Sequence, residues 1–362
     1  MAWWTYNTII VLLGASLLGM MCGIVGSFAV LKKRALVGDV LGHAALPGIA
    51  LAFWITETKS LPVLLLGALM TGLLGVWTLT WLRTHTRTKE DAAMGIVLSV
   101  FFGAGIALSR HVQNVVPSAS KAGLDNYIFG KAAGILARDV LNISIVSGAA
   151  LLVVILMFKQ IRTVIFDPHY SHSIGLKTFW IDFLVMALLT LIVVIGLPMV
   201  GIIMIAALTL LPSITARLWT HRLPVMLLLA ALIGMLSAGM GVLFSSLYSQ
   251  MPTGPMIILS SGVLFLISML FAPEQGVISL AIKRVIFRLD WGTRALLYEL
   301  QTKPSLSQEE ALVQLNELGV AYPKWAFFWA IRTKRLLIQS EGLICTDEGM
   351  CWLQSFHCKE SD

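Results

Sequence analysis

The sequence predicts an all-α polytopic membrane protein, with eight or nine transmembrane helices in residues 1–284 and a small α+β cytoplasmic domain in residues 285–362. Three observations carry this expectation. The chain is 57% hydrophobic and only 12% charged, with a mean hydropathy of +0.85, against roughly 25% charge in soluble domains. Its apolar runs are long and unalternating, so helices rather than barrel strands must satisfy the backbone in lipid. After Phe271 the texture changes: charge density becomes ordinary and no further run reaches span length.

Apolar segments of helical length fall at about 7–30, 36–55, 61–82, 93–109, 139–158, 178–195, 200–218, 224–247 and 256–272. Trp3, Trp4 and Tyr6 precede the first as an interfacial aromatic anchor, and no Lys or Arg comes before it, so no signal peptide is expected. Residues 1–284 hold 18 Lys and Arg against 9 Asp and Glu, whereas residues 285–362 hold 8 against 10. The positive excess therefore belongs to the membrane loops. It gathers at Lys32/Lys33/Arg34, Arg83/Arg87/Lys89, Lys159/Arg162/Lys177, Arg217/Arg222 and Lys283/Arg284/Arg288, in alternate loops. The positive-inside rule then sets the N-terminus outside and the C-terminus in the cytoplasm. Segment 110–138 carries Arg110, Lys121, Lys131 and Arg138 although it falls outside, and its amphipathic text predicts short helices packed at the outer face or dipping into the membrane. Gly196-Leu197-Pro198 makes so brief a turn that the sixth and seventh spans are expected to be partly broken. Small residues at Gly19/Gly23, Ala68/Gly72 and Gly234/Ala238 permit close helix crossings.

Within the second span lie Asp39 and His43, four residues apart and therefore on one helical face. If Lys32–Arg34 mark the membrane surface, Asp39 sits roughly 7 Å and His43 roughly 13 Å inside, at about 1.5 Å per residue. A carboxylate at that depth costs on the order of 3 kcal/mol unless it meets a partner, water or an ion. Carboxylate oxygen with imidazole nitrogen suits a divalent transition metal. The same pair also suits a buried hydrogen bond that fixes one helix against another, and the residues alone leave both readings open.

Two further segments are polar or broken. Phe166–Leu176 forms a polar island in which Asp167 can cap a short helix, Pro168 suits its first position and Gly175 its stop. It is read as a capped cytoplasmic helix, either a plain loop or a docking surface. Thr209–Arg217 places Pro212 among hydroxyls inside a span, which reads as a kink. No phosphate-binding loop, His-Glu-x-x-His or Gly-x-Ser-x-Gly occurs, so the chain is not expected to be an enzyme or to hydrolyse ATP itself.

Together these segments resemble the membrane permease subunit of the ABC importers for manganese, zinc and iron, over residues from about 10 to 275. The resemblance rests on an ordered set: Gly38-Asp39-x-x-x-His43-Ala44-x-Leu46-Pro47-Gly48, Glu90-Asp91-Ala92-Ala93-Met94-Gly95-Ile96, Tyr127-Ile128-Phe129-Gly130, Phe166-Asp167-Pro168 with Gly175-Leu176, and Pro212–Arg217. It implies the ABC importer permease fold in a bacterial cytoplasmic (inner) membrane. It implies that Asp39 and His43 line the translocation path and contact the metal, which is cargo; no cofactor is bound permanently. It further implies that 166–176, with Asp167, Pro168, His169, Tyr170, Gly175 and Leu176, is the coupling helix that docks on a separate ABC ATPase subunit. Tyr170-Ser171-His172 departs from the family's usual aromatic, alanine and polar residue there. Partners implied are that ATPase, an external metal-binding protein, a second permease copy or paralogue, and membrane lipid. Carboxylate plus imidazole accommodates manganese, zinc and ferrous iron alike.

Residues 293–301, 307–318 and 323–335 read as helices, followed by strand-like Leu336–Gln339 and Gly342–Ile344. Three helices and then two strands resemble a winged helix, and the closing text is similar to diphtheria-toxin-repressor-type regulators. Arg332, Lys334 and Arg335 could face nucleic acid, but the acidic balance of this domain disfavours phosphate binding. Cys345, Cys351, His357 and Cys358 match no common zinc spacing and read as free thiols. Two alternatives stand beside metal import: an ABC permease for a metal chelate, and a membrane-anchored metal-responsive regulator.

Overall fold

The computed structural model describes residues 6–57, 60–115, 130, 136–247, 251–302, 308–317, 323–333, 335–339 and 342–346. The chain divides into two compact units, Met1–Glu274 and Gln275–Asp362.

Among the described residues, nine helices are long and apolar enough to cross a membrane. They are α1 (Tyr6–Leu31), α2 (Val37–Thr56), α3 (Leu61–His85), α4 (Glu90–Val115), α5 (Ala137–Leu156), α8 (Thr178–Val200), α9 (Ile202–Trp219), α10 (Leu223–Leu247) and α11 (Thr253–Phe271). Between α5 and α8 lie two short helices, α6 (Phe158–Phe166) and α7 (Pro168–Ser173). Helices α1, α2 and α8 bury most of their length and form the centre, while α4, α5 and α11 leave most of theirs on the outer surface.

Close crossings occur where the small-residue stripes fall. A Cβ on Gly19 of α1 would lie 2.3 Å from the Gly234 carbonyl oxygen of α10, and one on Gly234 would lie 2.1 Å from the Gly19 oxygen. Only a backbone-to-backbone contact fits, which is how small residues let helices associate without a hydrophobic drive from lipid. Buried hydroxyls turn back on their own helices: Ser27 donates to Gly23 O at 2.7 Å and Thr190 to Met186 O at 2.9 Å.

The structure revises several boundaries. Helix α8 runs through Gly196-Leu197-Pro198, and the break comes at Gly201, whose φ of 88° lies in the left-handed region open to glycine. Pro198 sits near the end of α8, where one lost backbone bond does not stop the helix. The span expected over 139–158 stops at Leu156 and restarts at Phe158 as α6. The polar island is a six-residue helix rather than one running from 166 to 176, because Asp167 leaves helical geometry at φ −140°, ψ 85° and returns Phe166 to α6. The outer-face helices expected within 110–138 fall mostly outside the described residues, although α4 continues to Val115.

In the second unit, α12 (Val277–Thr302), α13 (Gln308–Glu317) and α14 (Pro323–Arg332) precede the antiparallel strands β1 (Leu336–Gln339) and β2 (Gly342–Cys345), with Leu336 opposite Cys345. Leu289, Leu296, Leu297, Ala311, Leu315, Ala326, Ala330, Leu336 and Leu343 make its core. The sequence-based boundary at 284 falls inside α12, which begins well before the helical run expected from residue 293. Cys351, His357 and Cys358 lie outside the described residues.

Candidate metal site

Helix α2 is held so tightly that its polar face has only one place to go. A Cβ on Gly38 would lie 2.6 Å from Thr209 Oγ1 of α9, and one on Gly42 would lie 3.2 Å from Ile202 Cγ2 at the start of α9. The Gly38/Gly42 face is thus pressed against α9. The Asp39/His43 face turns to α4, where the His43 ring meets Phe102 edge-on with centroids 4.7 Å apart. Sequence spacing put both side chains on one face, and the structure brings them together: His43 Nε2 lies 3.3 Å from Asp39 Oδ1.

The side chain of Asp39 is 36% exposed and that of His43 15%, so the pair is reachable from one side and enclosed on the other. His43 Nδ1 is buried and has no hydrogen-bond partner. An imidazole protonated at Nε2 donates to Asp39 and leaves a lone pair on Nδ1; the other tautomer leaves a lone pair beside the carboxylate. In the first the lone pair sits on the buried Nδ1, away from Asp39; only the tautomer protonated at Nδ1 turns a lone pair toward the carboxylate. That donor set fits a borderline divalent cation. Among the described residues no cluster of three or more His, Cys, Asp or Glu side chains forms, so this chain offers a cation two side-chain ligands at this point.

Below the pair the chain turns sharply through Lys33, a non-glycine residue at φ 60°, and buries Arg34. Here a second polar constellation forms that the sequence reading did not single out. Asp182, buried near the start of α8, accepts from Arg34 Nη1 and Nη2 at 3.1 Å each, from Arg83 Nη2 at 2.8 Å and from the Lys32 ammonium. Glu90, first residue of α4, accepts Arg34 Nε at 2.6 Å and Arg83 Nη1 at 3.0 Å. Burial pushes the Lys32 ammonium below its usual range, with Asp182 opposing that shift. The network binds the α1–α2 turn, the end of α3 and the starts of α4 and α8 to one another. A small cavity of about 10 Å³ is lined by Arg34, Gly38, Leu189 and Thr209. It joins the foot of the Asp39 helix to the ion network. Glu90 carried one available signal, since it stands in the Glu90-Asp91 motif; Asp182 carried only the cost of an acid inside an apolar run.

The other predicted residues lie apart from this pair. Asp167 caps α7, its Oδ1 accepting the Tyr170 amide at 2.8 Å, and Pro168 takes the first helical position. His169 and Tyr170 project outward, and Gly175 follows at φ 78° with Leu176 N donating to Ser171 O at 3.0 Å. Pro212 lies inside α9, which runs on to Trp219, and Ser213 Oγ lies 2.8 Å from Thr209 O and 3.1 Å from Gly23 O, neither of them the Leu208 carbonyl that the proline frees. Tyr127, Ile128 and Phe129 lie outside the described residues, but a Cβ on Gly130 would come within 2.4 Å of the Val200 carbonyl carbon, beside the α8–α9 break.

The chain is 43% identical over 282 residues to the manganese transport system membrane protein MntC of Bacillus subtilis, and this match spans 78% of the chain and 65% of that relative. It is 42% identical over 268 residues to the zinc transport system membrane protein TroC of Treponema pallidum, covering 74% of the chain and 90% of TroC. Among solved structures, PsaBC from Streptococcus pneumoniae in complex with Fab matches with a TM-score of 0.67 at 30% identity, over 77% of this chain and 97% of that one. Residues 5–272, the whole membrane unit but its ends, match the ABC 3 transport family, and the chain belongs to that family.

Proposed function

We propose that this chain is the permease subunit of an ATP-driven importer through which a divalent transition metal passes by way of Asp39 and His43. The observation that carries the reading is the pair itself, a carboxylate and a half-used imidazole on a helix otherwise packed apolar against its neighbours. Two protein ligands hold a cation too weakly to trap it, which suits a path rather than a storage site. Water, or the matching pair of a second permease copy, completes the coordination. Relatives named for manganese and zinc transport support a first-row divalent metal as cargo. The sign of the loops sets the C-terminus in the cytoplasm.

In this reading α7 and its flanks dock on a separate ATPase subunit, with outward-facing His169 and Tyr170 as contacts and the Asp167 cap and Gly175 stop holding the helix rigid. An external metal-binding protein delivers the cation at the opposite face. The second unit, helix–helix–helix–hairpin in order, is a winged-helix-like module that regulates or contacts protein. Within it Arg335 is engaged by Asp290 at 2.6 Å, which draws one of its few basic groups away from any phosphate. Transport by the assembled complex in vesicles, with manganese, zinc and ferrous iron in competition, tests the reading. Saturable uptake of at least one of them, driven by ATP and blocked by the others, is expected. Uptake of a metal chelate but not of the free ions would replace it with the chelate reading.

A further inference from the structure

Helix α12 has two halves of opposite character. From Leu289 onward it buries Leu289, Thr293, Leu296 and Leu297 in the second unit. Before that point, from Val277 to Arg288, no residue is buried. This first half reads Val-Ile-Ser-Leu-Ala-Ile-Lys-Arg-Val-Ile-Phe-Arg: eight apolar residues, three basic ones and no acid. Phe287 is 67% exposed and Ile282 52%. At helical spacing the apolar side chains occupy most of the circumference rather than one stripe, and a helix that is apolar nearly all round is not stable bare in water.

What covers it follows from connectivity and charge. Only residues 272–276 separate the end of α11, the last candidate span, from Val277. At full extension that link reaches roughly 20 Å, so the helix must begin close to the membrane surface. Lys283, Arg284 and Arg288 are long enough to lay their stems along apolar surface while their charges reach headgroup phosphates. Trp291, 49% exposed just beyond, is of the type that settles at a membrane interface. We infer that Val277–Arg288 is an interfacial helix seated in the headgroup region of the leaflet where α11 ends, gripping anionic phospholipid through Lys283, Arg284 and Arg288. It ties the second unit to the membrane, and the inference does not depend on what cargo the permease carries.

The test uses the full chain in nanodiscs. A variant with Cys22, Cys345, Cys351 and Cys358 replaced by serine and Phe287→Cys added is labelled with a bimane fluorophore, and bromine-labelled phospholipid serves as quencher. Val313→Cys, exposed on α13, is the control. Strong quenching at position 287, little at 313, and a rise at 287 when part of the lipid is anionic are expected. Combined Lys283→Glu, Arg284→Glu and Arg288→Glu should weaken attachment by roughly fivefold for each basic residue lost. Hydrogen exchange of 277–288 in the unaltered chain, slower in anionic than in zwitterionic discs, checks the same claim without cysteine replacement. Equal quenching at 287 and 313 together with exchange indifferent to lipid charge would overturn it. So would a photo-crosslink from position 287 to a second copy or to the ATPase in place of lipid.

Discussion

Asp39 and His43 share a single contact of 3.3 Å and leave a ring nitrogen unused. Lys32 and Arg34, a few residues back along the same chain, enter a closed network in which Asp182 alone accepts from three cations. Both are charged groups inside an apolar protein, yet one is left short of partners and the other is supplied with them. The network lies where five helix ends meet, so its charges hold the bundle together. The pair lies along one helix, and beyond it only the His43 ring reaches another element, edge-on to Phe102 of α4. Charge that maintains a fold is saturated by the protein; charge that handles a passing cation must keep valences open, at the cost of local stability.

Removing the saturating acid should give the largest effect. Asp182→Ala takes from Lys32 its acid and leaves Arg34 and Arg83 to share Glu90 alone, and breaking a buried ion network by deleting one partner costs about 3–5 kcal/mol. A large drop in thermal unfolding temperature of the detergent-solubilised protein is expected, with Asp182→Asn milder because it keeps part of the hydrogen bonding. An unfolding temperature like that of the unaltered chain would remove the contrast.

A smaller and more local effect belongs to α7. Gly175 stands at φ 78°, which proline cannot adopt, and Asp167→Lys removes the cap and reverses its charge. Loss of such a cap costs about 1 kcal/mol, too little to unfold the membrane unit but enough to loosen a six-residue helix. In complexes assembled with the ATPase, both Gly175→Pro and Asp167→Lys should uncouple hydrolysis from uptake while metal affinity stays unchanged. Hydrolysis still stimulated by the metal-loaded binding protein in both variants would show that α7 is not the docking element.

The smallest effect is expected at the second unit. Truncation after Glu274 removes neither the pair nor any part of the ion network and leaves no severed half of α12 behind. Uptake in vesicles should survive with at most a change in its regulation; its loss would mean that the second unit takes part in transport itself.

Much of this contrast was legible in the chain, but unevenly. The candidate spans could be read, though not whether they are eight or the nine found among the described residues, because lipid requires unbroken apolar runs, and the pair because a four-residue spacing is local. The Asp167 cap, the first-turn Pro168 and the Gly175 stop were equally local. The ion network was hidden for the opposite reason: Arg34 meets Glu90 across 56 residues and Asp182 across 148. Taken singly, Lys32, Arg34 and Arg83 look like flanking charges that set topology. The break at Gly201 was misplaced by a few residues because Pro198 is the stronger signal in sequence, whereas the left-handed glycine decides in three dimensions.

The central claim is that Asp39 and His43 serve transport and not the fold. Asp39→Ala and His43→Ala, each reconstituted with the ATPase, should be assayed on one preparation for radiolabelled metal uptake and for thermal unfolding. Altering even the groups that orient a metal's ligands costs about 10–100-fold, so losing a ligand itself should lower uptake by at least about 100-fold. The unfolding temperature should move by no more than about 3 °C, as expected for a partly exposed pair worth at most about 1 kcal/mol. Uptake at the unaltered rate in both variants, or uptake lost only in step with a collapse of the unfolding temperature, would contradict the account.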